Sequence, residues 1–263
     1  MSEPLFLEER RRAIIERLEQ QGRVTVKELS DLMHVSEVTI RQDLRALEEQ
    51  GVIDRTYGGA VYRGGPTSLR ELSFNVRMTT MNEHKKALAA AAAAMVQDGF
   101  SIAMDSSTSV YALIPHLKQH SKLTILTNGL MVAQSFLEDD ERQFKVLLMG
   151  GRLRNDSISI VGQPDKLPDI NLNLGIFSCH GVIPSIGVTE VDRDEALIKR
   201  ALIARCLHSV FLIDASKWGR VAPYTIAANT DIQHIITNHG APEDAIERLR
   251  AAGVRVDIVT VRG

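Results

Sequence analysis

Between Ser36 and Arg45 the chain reads Ser-Glu-Val-Thr-Ile-Arg-Gln-Asp-Leu-Arg, which places two hydroxyls, two guanidinium groups and a side-chain amide on one short segment. These groups can read base edges: arginine pairs bidentately with guanine and glutamine with adenine in the major groove. Their spacing is helical. Ile40, Leu44 and Leu47 recur at i, i+4 and i+7 and must face inward. At 100° per residue the opposite side then carries Val38, Gln42 and Arg45, with Thr39 and Arg41 on its flanks.

A second set of polar residues lies further along. Asp105-Ser106-Ser107-Thr108-Ser109, Thr127-Asn128-Gly129, Gly150-Gly151-Arg152, His180-Gly181 and Asp214-Ala215-Ser216-Lys217 each directly follow a short apolar run. A Ser/Thr turn at a helix start aims hydroxyls and backbone N–H groups at one point, with the positive end of the helix dipole behind them, which suits a phosphate. Lys199 and Lys217 supply point-like cations. Asp105 and Asn128 have the acceptor and donor capacity to hold sugar hydroxyls. Singly, each piece has a plainer reading: a helix cap, a glycine turn, a structural histidine, a solvated lysine. The case rests on five such pieces falling at equivalent places.

The elements that must position the first set are three helices and a hairpin. Ile14, Ile15 and Leu18 mark one helical face. Thr25-Val26-Lys27-Glu28 has capping-box spacing and opens a second helix carrying Leu29, Leu32 and Met33. Ser36 caps a third helix that ends near Gly51, and Val35 staples onto Ile40. Val52–Arg55 and Ala60–Tyr62 alternate as strands around Gly58-Gly59. The whole reads as a winged helix-turn-helix. Its DNA-facing residues are Ser36, Val38, Thr39, Arg41, Gln42 and Arg45 on the helix, with Arg55 and Tyr57 on a wing that touches backbone phosphate.

Residues 1–62 are thus expected to form a DNA-binding domain and 63–81, which open on Arg63-Gly64-Gly65-Pro66-Thr67-Ser68, a linker. From 82 the pattern changes. An alanine-rich helix (Lys85 to Gln97, closing at Gly99) leads into apolar runs at Phe100–Met104, Leu123–Leu126, Phe144–Met149, Leu174–Ser178, Val210–Ile213, His234–Ile236 and Val254–Val259, alternating with helical segments. Alternation of this kind implies an α/β domain, 82–263, with a mostly parallel sheet whose ligands sit at the carboxyl ends of its strands.

Composition narrows the function classes. The chain has 263 residues, 44% of them hydrophobic and 24% charged, with net charge −2. Residues 1–63 hold about ten Lys/Arg against about a dozen Asp/Glu, so non-specific DNA binding should be weak. The cations are well distributed, since Arg41, Arg45, Arg55 and Arg63 fall on the reading helix, the wing and just beyond it. Two cysteines, Cys179 and Cys206, suit a reducing cytosol. No apolar run approaches the roughly eighteen residues that span a bilayer, and the charged N-terminus lacks a signal-peptide core. A cytoplasmic protein with no membrane association is expected. No Gly-x-Gly-x-x-Gly follows a strand and no Gly-Lys-Ser/Thr loop is present, so neither a nucleotide nor another cofactor is expected.

Val35-Ser36-Glu37-Val38-Thr39-Ile40-Arg41-Gln42-Asp43-Leu44, followed by Leu47, Gly51 and Arg55-Thr56-Tyr57-Gly58-Gly59-Ala60, resembles the N-terminal signature of the DeoR family of bacterial repressors. The resemblance continues in order to about residue 260, through Asp105–Thr108, Thr127-Asn128, Gly150-Gly151, Lys199-Arg200-Ala201 and Asp214–Gly219. It implies a C-terminal domain of the fold shared by ribose-phosphate isomerases and amino-sugar phosphate deaminases. It further implies a phosphorylated sugar as effector, a homodimer or homotetramer, and loss of operator DNA on effector binding. Three positions depart from the family pattern: Ser107 stands where glycine is usual, His180 where aspartate is common, and Arg193 where the pattern has Asn-Glu. Thr127-Asn128-Gly129 and Gly150–Arg154 look nearest to the amino-sugar operon branch. An enzyme of the isomerase or deaminase class with an accessory DNA-binding unit is the alternative. It would need an acid/base pair such as Asp105 with His180 or Glu195, and it leaves residues 1–62 without a purpose. The expectation is a repressor of a carbohydrate catabolic operon, without catalysis.

Overall fold

Apolar residues spaced three and four apart need a helix to bring them to one face, and the N-terminal segments supply it. The computed structural model describes residues 7–21, 23–49, 53–62, 74–79, 82–137, 143–155, 157–162 and 164–260. The chain divides into two compact units, residues 1–81 and 82–263.

In the first unit, α1 (Leu7–Gln21), β1 (Arg23–Thr25), α2 (Val26–Met33) and α3 (Glu37–Glu49) precede a hairpin of β2 (Ile53–Thr56) and β3 (Gly59–Tyr62). The capping box forms as its spacing requires. Thr25 Oγ1 accepts from the Glu28 N–H at 3.2 Å, and Glu28 Oε2 accepts from the Thr25 N–H at 3.0 Å. His34, at φ 53°, ends α2 in the left-handed region. Ser30 Oγ then donates to the Val35 carbonyl at 2.7 Å and fixes the turn into α3. Ile14, Leu18, Ile40 and Leu44 are fully buried together, each contributing about 1.5–3 kcal/mol. Asp43, also on α3, is buried and accepts from Arg10 Nε at 2.6 Å and Arg11 Nε at 3.1 Å, which ties α1 to α3.

Three details differ from the sequence expectation. Leu32 is exposed, because Leu29 and Met33 share the inward face of α2 and Leu32 lies a hundred degrees away from Met33. The wing also gains a strand: β1 pairs antiparallel with β3, giving the order β1-β3-β2. Gly59 permits this pairing, since a Cβ there would lie 2.0 Å from the Val24 carbonyl oxygen. A short helix, α4 (Phe74–Thr79), forms inside the stretch expected to be a linker. Gly51, Val52, Arg63 and the remainder of that stretch lie outside the described residues.

The second unit runs, in chain order, α5 (Asn82–Ala93), β4 (Ser101–Met104), α6 (Thr108–Tyr111), α7 (Ile114–Leu117), β5 (Thr124–Thr127), α8 (Leu130–Gln134), β6 (Lys145–Leu148), β7 (Arg152–Arg154) and β8 (Ser159–Val161). It continues through β9 (Leu172–Phe177), β10 (Gly181–Ile183), β11 (Gly187–Glu190), α9 (Arg193–Ile203), β12 (Cys206–Leu212), β13 (Tyr224–Ala227), β14 (His234–Asn238), α10 (Glu243–Ala251) and β15 (Arg255–Val259). Each of the apolar runs read from the sequence lies in a strand of one parallel sheet, ordered β15-β14-β12-β9-β4-β5-β6. The fold class is therefore α/β, as expected. Two apolar clusters cover the sheet, one built around Phe177 and Phe211 and the other around Leu88, Ile102 and Ile125. The strand order reverses between β4 and β9. In open parallel sheets that is where a crevice forms at the carboxyl ends.

At the other end of the sheet, His234 is buried with Nε2 3.0 Å from Asp257 Oδ2. Burial holds its pKa below the ordinary histidine value, and Asp257 only partly offsets this. A histidine kept neutral in the fold is protonated in the unfolded chain below about pH 6.5. Stability should therefore be fully present above that pH and decline as pH falls through the lower folded value. His234→Gln is expected to flatten this part of the pH–stability curve. An identical slope in the variant would assign it to other groups.

Candidate functional site

Two groups of polar residues are held in place by these elements, one in each unit. On α3, Ser36, Val38, Arg41, Gln42 and Arg45 are exposed and Thr39 is half-buried, while Ile40, Leu44 and Leu47 line the core. Ser36 caps the helix by accepting from the Thr39 N–H at 3.2 Å. Arg41 Nη2 lies 2.8 Å from Glu37 Oε2 one turn back. Both side chains are about half exposed, so the pair is worth only a few tenths of a kcal/mol and yields readily to a stronger acceptor. Arg55, on β2, stands 3.7 Å from Glu48. Tyr57 is fully exposed at the hairpin tip. A guanidinium and an amide on an exposed helix face, beside an exposed aromatic tip, can do hydrogen-bonding recognition of a polyanion.

The second group gathers around the β4/β9 switch. Asp105, at the end of β4, is fully buried. Its Oδ1 accepts from the Ser107 N–H at 2.9 Å and its Oδ2 from the Ser178 N–H at 2.8 Å, which braces the loop after β4 against the loop after β9. Lys199 Nζ, reaching in from α9, lies 3.2 Å from the same Oδ2 and donates to Glu190 Oε2 at 2.7 Å and the Ser178 carbonyl at 3.0 Å. Burial alone would depress the lysine pKa, but Asp105, Glu190 and Glu195 outweigh it and hold the ammonium above its ordinary range. Burial likewise opposes ionisation of Glu190, and Lys199 overrides it, leaving that carboxyl below its usual value.

These contacts alter the roles drawn from sequence. Lys199 is neutralised by two carboxylates and is not a spare counter-charge for an incoming anion. Asp105 has both oxygens occupied and acts as a brace. Lys217 differs: its side chain is 18% exposed, its Nζ donates to Ser178 Oγ at 2.7 Å, and Asp214 Oδ2 is 3.9 Å away. An ammonium with three donors retains capacity in that setting. Asp214 is held below the ordinary carboxylate range: burial opposes its ionisation, but Lys217 and the Ser216 hydroxyl prevail.

Of the other expected residues, Ser107 Oγ caps α6 by accepting from the Val110 N–H at 3.3 Å. Ser106, Thr108 and Ser109 are buried beside it. The whole turn from Asp105 to Ser109 is no more than 8% exposed. Thr127 Oγ1 accepts from the Gly129 N–H at 3.0 Å. Gly129 lies against the turn, since a Cβ there would come within 3.1 Å of Ser106 Cα. Gly150 and Gly151 are exposed and serve a close backbone crossing: a Cβ on Gly151 would lie 2.3 Å from the Val161 carbonyl oxygen. His180 is half-buried, with its N–H donating to the Thr189 carbonyl at 2.9 Å.

Asn128 Nδ2 donates to Glu195 Oε2 at 3.1 Å. Glu195 Oε1 in turn accepts from the hydroxyls of Ser159 and Ser157, with Arg154 Nη1 3.7 Å away. Burial raises the Glu195 pKa above the usual glutamate value, with Lys199 and the Ser159 hydroxyl partly offsetting it. Asn128 Oδ1 and Ser109 Oγ are buried without a hydrogen-bond partner. Sequence reasoning missed Ser178, Glu190, Ser157 and Ser159. Ser178 was absorbed into an apolar run, Glu190 and Ser159 sit on short antiparallel strands, and Ser157 lies in a turn, none with a legible period. Asp192 was detectable, because Asp-x-x-Glu is a capping signal; its side chain accepts from the Glu195 N–H at 2.9 Å and starts α9.

Comparison with known proteins adds an independent line. The DeoR-like helix-turn-helix domain matches residues 10–64, and the DeoR C terminal sensor domain matches residues 80–239. An Escherichia coli O157:H7 protein described as an aga operon transcriptional repressor is 34% identical over 95% of this chain and 93% of its own. The glycerol-3-phosphate regulon repressor of E. coli K12 is 31% identical over 95% of this chain and 98% of its own. Among solved structures, ribose 5-phosphate isomerase A from Neisseria gonorrhoeae superimposes with a TM-score of 0.40 at 14% identity, over 54% of this chain and 55% of that one.

Proposed function

Because the chain belongs to the DeoR family, we propose that it is a DNA-binding transcriptional repressor of a carbohydrate catabolic operon, released from its operator by a small phosphorylated sugar. The observation that carries the reading is the exposed outer face of α3, where Arg41, Gln42 and Arg45 project from a helix whose inner face is fully packed. The full-length likeness to proteins named as repressors supports it. In this reading α3 enters the major groove, and Arg55 and Tyr57 meet the backbone.

The effector binds at the β4/β9 switch, where Lys217 and the Ser/Thr turn meet its phosphate and Asn128 its hydroxyls. Since that turn is buried, the hydroxyls reach an effector only if the strand-end loops part. The open and closed forms are then the two states a ligand can select between. In a homodimer or homotetramer, half-sites lie about 34 Å apart per helical turn, so a small rotation of paired reading helices releases the operator. The protein acts in the cytoplasm, on double-stranded DNA, with no membrane partner; among the described residues no helix is long and apolar enough to cross a bilayer.

We read no catalysis into the strand ends. Asp105, the carboxylate nearest the switch, has both oxygens occupied, accepting from two backbone N–H groups and facing the Lys199 ammonium, so neither is turned toward a substrate. A gel shift on the chain's own promoter region at low salt tests the first half of the reading, and release of that complex by a panel of sugar phosphates tests the second. Turnover of any panel member would replace the sensor by an enzyme. Arg41→Ala is expected to weaken specific operator binding by about 1–3 kcal/mol, against little change on random duplex. Unchanged specific affinity would remove Arg41 from the reading face.

A further inference from the structure

The buried Asn128 amide has one end bound and the other end open. Its Nδ2 donates to Glu195 Oε2 at 3.1 Å, while Oδ1 has no partner. Which end faces which way is not a free choice. Glu195 is surrounded by donors: the Asn128 amide, the hydroxyls of Ser157 and Ser159, and the Arg154 guanidinium. Burial opposes ionisation here, but Lys199, the Ser159 hydroxyl and the Arg154 guanidinium all favour the carboxylate, and a carboxylate can only accept. Turning the Asn128 amide over would set its carbonyl oxygen against a carboxylate oxygen and lose the hydrogen bond. Glu195 therefore imposes the orientation in which Asn128 presents an acceptor. Ser109 Oγ, three residues along the same turn from the Ser106 that lies against Gly129, is also buried without a partner. Buried polar atoms left unsatisfied at a site are costly unless something completes them.

We propose that Asn128 Oδ1, with the Ser109 hydroxyl beside its loop, forms a subsite that reads a hydrogen-bond donor on the ligand, and that Glu195 is its positioning residue. The donor is a hydroxyl or an ammonium on a sugar carbon; a carbonyl or a carboxylate at that point would face an acceptor and be rejected. The inference rests on the reading of the strand ends as the effector site. It adds which chemical polarity the site selects and which side chain sets that polarity. Glu195 touches no ligand in this scheme. Its effect passes through the amide.

The test uses the full chain and calorimetric titration with inorganic phosphate, glucose 6-phosphate, glucosamine 6-phosphate and the series of deoxyglucose 6-phosphates. The wild type is expected to lose about tenfold in affinity when one particular hydroxyl is removed, the worth of about one net hydrogen bond. A preference for glucosamine 6-phosphate over glucose 6-phosphate identifies the donor as the ammonium; the reverse identifies the hydroxyl. Glu195→Gln can donate to Asn128 Oδ1 and so allows the amide to turn. That variant should reduce the discrimination to within about twofold, a ratio between sugar phosphates that a general change in anion affinity does not move. Ser109→Ala, a smaller perturbation, should reduce the same discrimination, and it carries the test if Glu195→Gln fails to fold. Full discrimination retained in the folded variants, or a wild type indifferent to every deoxy position, overturns the subsite while leaving the effector reading intact. A wild type that binds neither phosphate nor any sugar phosphate overturns both.

Discussion

Replacing Lys199 by methionine is expected to cost the second unit about 3–5 kcal/mol of stability, because the substitution leaves two buried carboxylates without their counter-ion. Asp105 and Glu190 lie 3.2 and 2.7 Å from the ammonium, and all three side chains are at most 7% exposed. A loss of this size is a large fraction of the 5–15 kcal/mol typical of a domain. The measurement is convenient, since the chain has one tryptophan, Trp218, buried in the second unit. Its fluorescence during urea unfolding reports on that unit directly. Adding Glu190→Gln to the methionine variant should recover part of the loss, as neighbours in one charge network are not additive. A loss below about 1 kcal/mol would mean that the carboxylates are not confined as described.

Lys217→Ala has the largest expected effect on response. If its ammonium meets the effector phosphate, removing one charge-assisted contact should weaken effector binding by about 1.5–3 kcal/mol, roughly ten- to a hundredfold. Operator affinity in the absence of effector should be unchanged, because the side chain lies in the second unit and Asp214 remains capped against Ser216. The variant would thus repress normally and fail to release at effector doses that free the wild type. Normal release would remove Lys217 from the anion site. Operator affinity lost together with release would indicate damage to the fold.

The contrast between these two lysines shows where reading residues in a row stops being enough. From sequence alone Lys199 and Lys217 were equivalent, each a point-like cation available to an anion. What separates them is solvent and neighbours: one is clamped between carboxylates from β4 and β11, the other sits at the rim with a hydroxyl and a distant aspartate. Glu190 could not have been placed beforehand, because β10, β11 and β13 form a small antiparallel sheet from strands of three or four residues. Segments that short carry too little period to declare which face they bury.

Where the pattern repeats, the sequence was sufficient. The i, i+4, i+7 spacing in α3 determined both the buried stripe and the exposed outer face, and Thr25 with Glu28 determined the start of α2. The apolar runs from Phe100 to Val259 determined the strands of the parallel sheet, since only strands buried on both faces tolerate such continuous apolar character. Tertiary structure alone decided that β9 returns beside β4, that Ser178 meets Asp105 there, and that an asparagine amide is held one way round by a glutamate sixty-seven positions later. The reason is physical. Periodicity acts over one or two turns of local chain, whereas charge pairing and hydrogen-bond direction act across a few ångströms of space, between residues that only the packed sheet brings together.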